Sequence, residues 1–153
     1  LSKAQYTTVC ANYDFAGTPL EGYIEPYTIV EKAGRRIGII GVTTNLKGVV
    51  SAHCREGLEY QDPIPVANRY AEMLRKEMGC DLIIALSHLG YSGKDSDIEL
   101  AENSRNIDIV VGGHSHTFLK SERVYKNLDN QEVLVVQDGA QGEWVGRFDI
   151  DFQ

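Results

Sequence analysis

The 153 residues are 42% apolar and 24% charged, the mix and length of one globular domain over residues 1–153. A chain of this size removes about two-thirds of its unfolded surface from water, so neither disulfides nor a metal is needed merely to hold the fold, and disorder and fibrous repeats are excluded. Fifteen Lys and Arg stand against 22 Asp and Glu, a formal charge of −7. An acidic chain with no basic cluster repels phosphate backbones and anionic lipid, which excludes a nucleic acid polymer and a membrane surface as primary partners. A small phosphate ester is still compatible where a cation intervenes. No uncharged stretch approaches the ~20 apolar residues that span a bilayer.

The chain opens Leu-Ser-Lys-Ala-Gln without methionine, basic leader or apolar leader, and is expected to be a processed product or an excised segment. Cys10, Cys54 and Cys80 are odd in number, far apart and form no Cys-x-x-Cys pair. They give neither a disulfide framework nor a zinc knuckle.

Taken in order, Tyr6 to Ala11 reads as a strand and Asn12 to Gly22, with Gly17 and Pro19, as a loop. Tyr27 to Lys32 and Arg35 to Val42 flank Ala33-Gly34 and read as a hairpin. Asp62-Pro63 is a helix start, a capping carboxylate before a proline at the first helical position. Ile64, Ala67, Ala71, Leu74 and Met78 then form one apolar stripe, ended by Gly79. Asp81 to Ser87 is a buried strand, Ser96 to Asn103 a short helix and Ile107 to Val111 another buried strand. Strand, helix and strand with short links make a right-handed βαβ unit in a parallel sheet. Glu122 to Tyr125, Glu132 to Gln137 and Trp144 to Phe152 are strand-like, with a turn at Asn127 to Asn130, and are expected as antiparallel additions. The fold class is therefore α/β, a mixed sheet with flanking helices.

Three of the four histidines carry the chemistry. His88 follows the strand ending at Ser87, and His114 and His116 follow the strand ending at Val111 through Gly112-Gly113. If those strands are parallel neighbours, all three imidazoles meet at one carboxyl edge, where open α/β sheets bind ligands. One histidine after a strand is commonly structural. Three at one edge, beside a turn stripped of Cβ atoms, favour metal ligation, and neutral imidazole suits Zn, Mn, Fe or Ni better than Mg or Ca. His53, beside Cys54, reads as a surface residue. Asp138 reads as an ordinary Asp-Gly turn, and Asp95, Asp97 and Glu99 as the solvated start of a helix. Trp144, Phe148 and Phe152 read as core or sheet-face packing. Neither Ser87 nor Ser115 sits in a Gly-x-Ser-x-Gly elbow.

Leu82-Ile-Ile-Ala-Leu-Ser-His-Leu-Gly-Tyr91 and Asn106-Ile-Asp-Ile-Val-Val-Gly-Gly-His-Ser-His-Thr117 resemble the calcineurin-like metallophosphoesterase domain of the 5'-nucleotidase family. Cys10-Ala11-Asn12, Ile39 to Thr44 and Val136 to Gly142 extend the resemblance over nearly the whole chain. It implies a partial metallophosphoesterase sandwich, with His88 and His114 on one divalent ion and His116 on a second. It implies hydrolysis of a nucleotide or other small phosphoester by a metal-activated water, in the periplasm, at the cell surface or outside the cell. The alternatives are a 2',3'-cyclic-nucleotide phosphodiesterase on the same scaffold and a non-catalytic metal-binding module.

The family's remaining ligand motifs, Asp-x-His, Gly-Asp and Gly-Asn-His, have no match in this sequence. Asn12 lacks the following histidine and is no ligand. The chain thus resembles the second half of a catalytic domain. The bridging carboxylate and the catalytic histidine would lie upstream, so no residue of this chain is assigned as catalytic. Three neutral imidazoles cannot balance two divalent charges. The isolated chain is expected to hold zero to one metal ion, to be inactive, and to self-associate through the truncated sheet.

Overall fold

The computed structural model describes residue 1 and residues 3–152. Its strands are β1 (Thr8–Val9), β2 (Tyr13–Asp14), β3 (Ile24–Glu25), β4 (Tyr27–Lys32), β5 (Arg35–Thr43), β6 (Glu59–Tyr60), β7 (Leu82–His88), β8 (Ile109–Val111), β9 (Arg123–Lys126) and β10 (Glu132–Val136). The helices are α1 (Pro63–Lys76) and α2 (Asp97–Glu102), with a 3-10 turn at Ala52–Arg55. Six strands form one mixed sheet in the order β4-β5-β7-β8-β10-β9. The four central strands β5, β7, β8 and β10 run parallel, and β4 and β9 close the edges antiparallel.

Local chemistry explains the elements. The Asp62 carboxylate accepts the Ile64 amide at 3.1 Å and Pro63 occupies the first turn of α1, satisfying helix-start donors that have no partner of their own. Val66, Ala67, Ala71 and Leu74 are buried from α1 against the sheet. Ser96 caps α2 through the Glu99 amide. The β4–β5 hairpin turns at Ala33 and Gly34, both with positive φ, the geometry of a two-residue hairpin turn. At the amino edge of the sheet Arg75 reaches from α1 to the Asn106 carbonyl and the Asp108 carboxylate, which also accepts the Ile83 amide at 2.7 Å. One guanidinium thereby fastens the starts of β7 and β8.

Strand alternation divides the apolar residues between two faces. Ile40, Val42, Ile83, Ala85, Val110, Val133 and Val135 point to the helices and make the core. Register places Val111 between Leu86 and Val136, and Leu134 beside Val124, on the other face. There Leu86 is 42% and Val124 52% exposed.

Several expectations change. Glu132 to Gln137, expected as an antiparallel addition, becomes β10 and runs parallel to β8, so of its two neighbours only β9 is antiparallel to it. Residues 144 to 152 form no hydrogen-bonded strand. They pass over the second face instead, bounding a groove of about 860 Å³ with Val111, Leu134 and Val136, and Phe152 meets the Arg35 guanidinium at 5.0 Å. β9 forms the outer edge of the sheet, and residues 144 to 152 do not pair with it. Trp144 stacks on Phe118 with ring centroids 4.8 Å apart and is 58% exposed, so it is no part of the core and of the two readings only packing over the sheet face holds. The expected strand over Tyr6 to Ala11 is reduced to β1, which pairs with β3 outside the main sheet. It crosses so close to Gly41 that a Cβ there would collide with the Val9 carbonyl. The expected loop over Asn12 to Gly22 also contains β2, paired with β6.

Leu74 is fully buried between α1 and β5. Leu74→Ala should lower the unfolding free energy in urea by about 2–5 kcal/mol. A loss below about 1 kcal/mol would contradict the packing described.

Candidate functional site at the carboxyl edge of the sheet

Because β5, β7, β8 and β10 are parallel, their carboxyl ends emerge on one edge. Thr43 lies in register with His88, and the Thr44 amide donates to the His88 carbonyl at 3.2 Å. Asn12, fully buried, holds this end of β5: its side chain accepts from the Thr43 amide at 2.9 Å and donates to the Thr43 carbonyl at 2.8 Å. It is a structural staple, as its lack of a neighbouring histidine implies.

His88 and His114 meet edge to face with ring centroids 5.2 Å apart. The turn after β8 reaches this position because Gly113 has no side chain. A Cβ there would lie 3.0 Å from His88 Nδ1 and 3.3 Å from the Ser87 carbonyl. His114 and His116 take positive φ values of 73° and 56°, a conformation that costs an L-residue energy and is held only where surroundings impose it. All three histidines are solvent-exposed residues. Desolvation first, then the nearby His114 and His116, push the His88 pKa below its ordinary value. His88 is thus neutral at physiological pH, the form that binds metal.

The donor set fits part of a metal centre. His88 and His114 present imidazoles side by side, but among the described residues no three His, Cys, Asp or Glu side chains converge as a ready cage. The edge presents imidazole nitrogens; a divalent ion held there would need charge neutralisation by carboxylates from other residues. His53 lies elsewhere and is exposed, with its Nε2 3.2 Å from Cys54 Sγ. Cys10, Cys54 and Cys80 are all free thiols. Asp138 forms an isolated antiparallel bridge with Phe118 before a positive-φ Gly139, where the sequence suggested an ordinary turn.

Asp97 departs from expectation. It is not solvated but fully buried, accepting from Ser87 Oγ at 2.5 Å and from Gln137 Nε2 at 3.3 Å. Burial raises its pKa to about 6, against the opposing pull of those two hydrogen bonds. Sequence reading missed Asp97, Ser87 and Gln137 as a group because they are 10 and 40 residues apart. The only local signal was the doubled glycine: a Cβ on Gly112 would collide with the Asp97 carboxylate.

No protein-family model matches the chain. A snake venom 5'-nucleotidase from Naja atra is 32% identical over 146 residues, which are 87% of this chain and 27% of that protein. The structure of a 5'-nucleotidase precursor from Thermus thermophilus superposes with a TM-score of 0.80 at 35% identity, over 89% of this chain and 28% of that one. The calcineurin-like phosphoesterase YfkN from Bacillus subtilis superposes with a TM-score of 0.66 at 25% identity, over 86% of this chain and 46% of that one. The chain spans between 9% and 28% of the length of the curated relatives it matches.

A carboxyl whose pKa is raised on folding adds stability below its unfolded value near 3.8 and loses it as pH climbs through about 6. Asp97→Asn removes that dependence. The unfolding free energy of the wild type minus that of Asp97→Asn should therefore fall between pH 4 and pH 7, by up to about 3 kcal/mol. A difference that stays flat or grows with pH would contradict burial of a titrating carboxyl at this position.

Proposed function

This chain is homologous to the 5'-nucleotidases and to a calcineurin-like phosphoesterase, and from that kinship we propose that residues 1–153 are one part of the catalytic domain of a metal-dependent phosphoesterase that hydrolyses nucleotide phosphate esters. The observation that carries the reading is the meeting of His88 and His114 at the shared carboxyl edge, with His116 two residues on. His88 and His114 would hold one divalent ion of the zinc or manganese type, and His116 a second. Such ions supply Lewis-acid polarisation of the phosphoryl group and a deprotonated water at neutral pH. The chain's own contribution is to keep His88 uncharged and to hold the His114–His116 turn against the end of β7. The bridging carboxylate and the catalytic histidine that the resemblance implies have no match in this sequence and would come from residues outside it, so the chain alone is expected to turn over no nucleotide.

The venom origin of the Naja atra relative supports a site of action outside the cytoplasm. No described helix is long and apolar enough to cross a membrane. The apolar second face of the sheet, with Leu86, Val111 and Val124 open to solvent, supports self-association of the isolated chain.

Metal analysis tests the assignment. The purified chain should carry up to one transition-metal ion, lost in the His88→Ala, His114→Ala double variant. Equal, non-zero metal in both proteins would overturn it. In an assay with a nucleoside monophosphate the chain alone should be silent. Turnover that disappears in His116→Ala would contradict the division of the site described here. Light scattering at high concentration should give a mass above 17.0 kDa, and a clean monomer would refute association through the open face.

A further inference from the structure

Gln137 follows β10 and is 2% exposed. Its amide has one acceptor oxygen and two N–H donors, and the structure uses both ends. Oε1 accepts from the Thr117 amide at 2.6 Å and from Ser115 Oγ at 2.9 Å. Nε2 donates to the Gly113 carbonyl at 3.1 Å and to Asp97 Oδ2 at 3.3 Å. The side chain thus grips the backbone on both sides of His114-Ser115-His116. Within the turn itself, a backbone bond runs from the Ser115 amide to the Gly113 carbonyl, at 2.9 Å.

We propose that Gln137 is a positioning residue for the histidine turn: its amide imposes the left-handed backbone of His114 and His116 and so aims both imidazoles. The orientation of that amide follows from chemistry. An acceptor, the Gly113 carbonyl, faces one end and a donor, the Thr117 N–H, faces the other, so a flipped amide would set two donors together and two acceptors together. Asp97 reinforces the choice because its oxygens accept from Nε2 and from Ser87 Oγ. Gly112 leaves the space for the carboxylate. Ser87 precedes His88 directly, so one buried relay, Ser87 to Asp97 to Gln137, joins the ends of β7 and β10 to the turn. Ser115 extends it outward, accepting from the Tyr91 amide at 2.9 Å. The inference rests on the reading of these histidines as metal ligands, but the grip itself is measurable without metal.

The test uses the full chain, with Gln137→Met as the near-isosteric variant lacking every hydrogen bond. Val133→Ala, a buried position on β10, the strand that leads to Gln137, serves as a control for general loss of stability. Hydrogen exchange in the metal-free protein should show the Thr117 amide protected in the wild type and at least about tenfold faster in Gln137→Met than in Val133→Ala at matched global stability. Titration with Co²⁺ should show about 10- to 100-fold weaker binding in Gln137→Met, the range for removing a group that orients a ligand, with the wild-type value kept in Val133→Ala. Should Gln137→Met fail to fold, Ser115→Ala on the exposed side removes one bond to Oε1 and should shift both readouts in the same direction by less. Unchanged Thr117 exchange in these variants, or an equal loss of Co²⁺ binding in Val133→Ala, would overturn the proposal. A wild type that binds no Co²⁺ while Thr117 loses protection in Gln137→Met would refute the metal reading and leave the grip standing.

Discussion

Parallel pairing of β5, β7, β8 and β10 is the constraint on which the remaining features depend. Parallel neighbours must end on the same side of the sheet, so two short motifs, one after β7 and one after β8, are delivered to a common edge with no further instruction. The amino edge is fastened by Arg75 and Asp108, and the carboxyl edge by Asn12 on β5 and by Gln137 beyond β10. A one-residue slip of β7 against β8 would invert every side chain of the slipped strand and carry His88 away from His114. Precision at the edge is a by-product of a core, Ile83, Ala85, Val110, Val133 and Val135, that tolerates only one register.

Polar groups are allocated unevenly around that edge. The carboxylate that reaches under it, Asp97, is buried and engaged with Ser87 and Gln137, while the imidazoles are open to solvent. Keeping Asp97 dry is costly at neutral pH, as its raised pKa records. Fixing a loop with two left-handed histidines requires donors and acceptors that do not move, and a buried amide held by a buried carboxyl supplies them. In the role proposed for them, the imidazoles would hold ions whose charge must be balanced from elsewhere. The apolar second face, with Leu86 and Val124 half open, has the same incompleteness: a surface of core character lacking a full covering layer.

Periodic segments were legible in the sequence. The Asp62-Pro63 start and apolar stripe gave α1, and the uninterrupted apolar runs gave β5, β7 and β8, because these patterns report burial directly. The edge location of His88, His114 and His116 followed from strand ends alone. Other features did not follow. Trp144 to Phe152 alternates as a strand does, yet Trp144 to Asp149 border the groove on the second face and do not pair at the β9 edge. The bridges β1–β3 and β2–β6 involve two residues each, too few for any periodicity to register. Asp97 looked like a solvated helix start because its local neighbours, Asp95 and Glu99, are acidic. Its burial is set by Ser87 and Gln137, which only the folded chain brings together.

Parallel register, with the turn after β8 held by Gln137, sets His88 and His114 against each other without metal. Nuclear Overhauser contacts between the two imidazole rings in the metal-free protein test it most directly. At 5.2 Å between centroids, cross-peaks are expected from ring protons of His88 to those of His114, alongside contacts between Ile84 and Ile109, which are paired in register. Clear Ile84–Ile109 contacts with no signal between the two rings would contradict it.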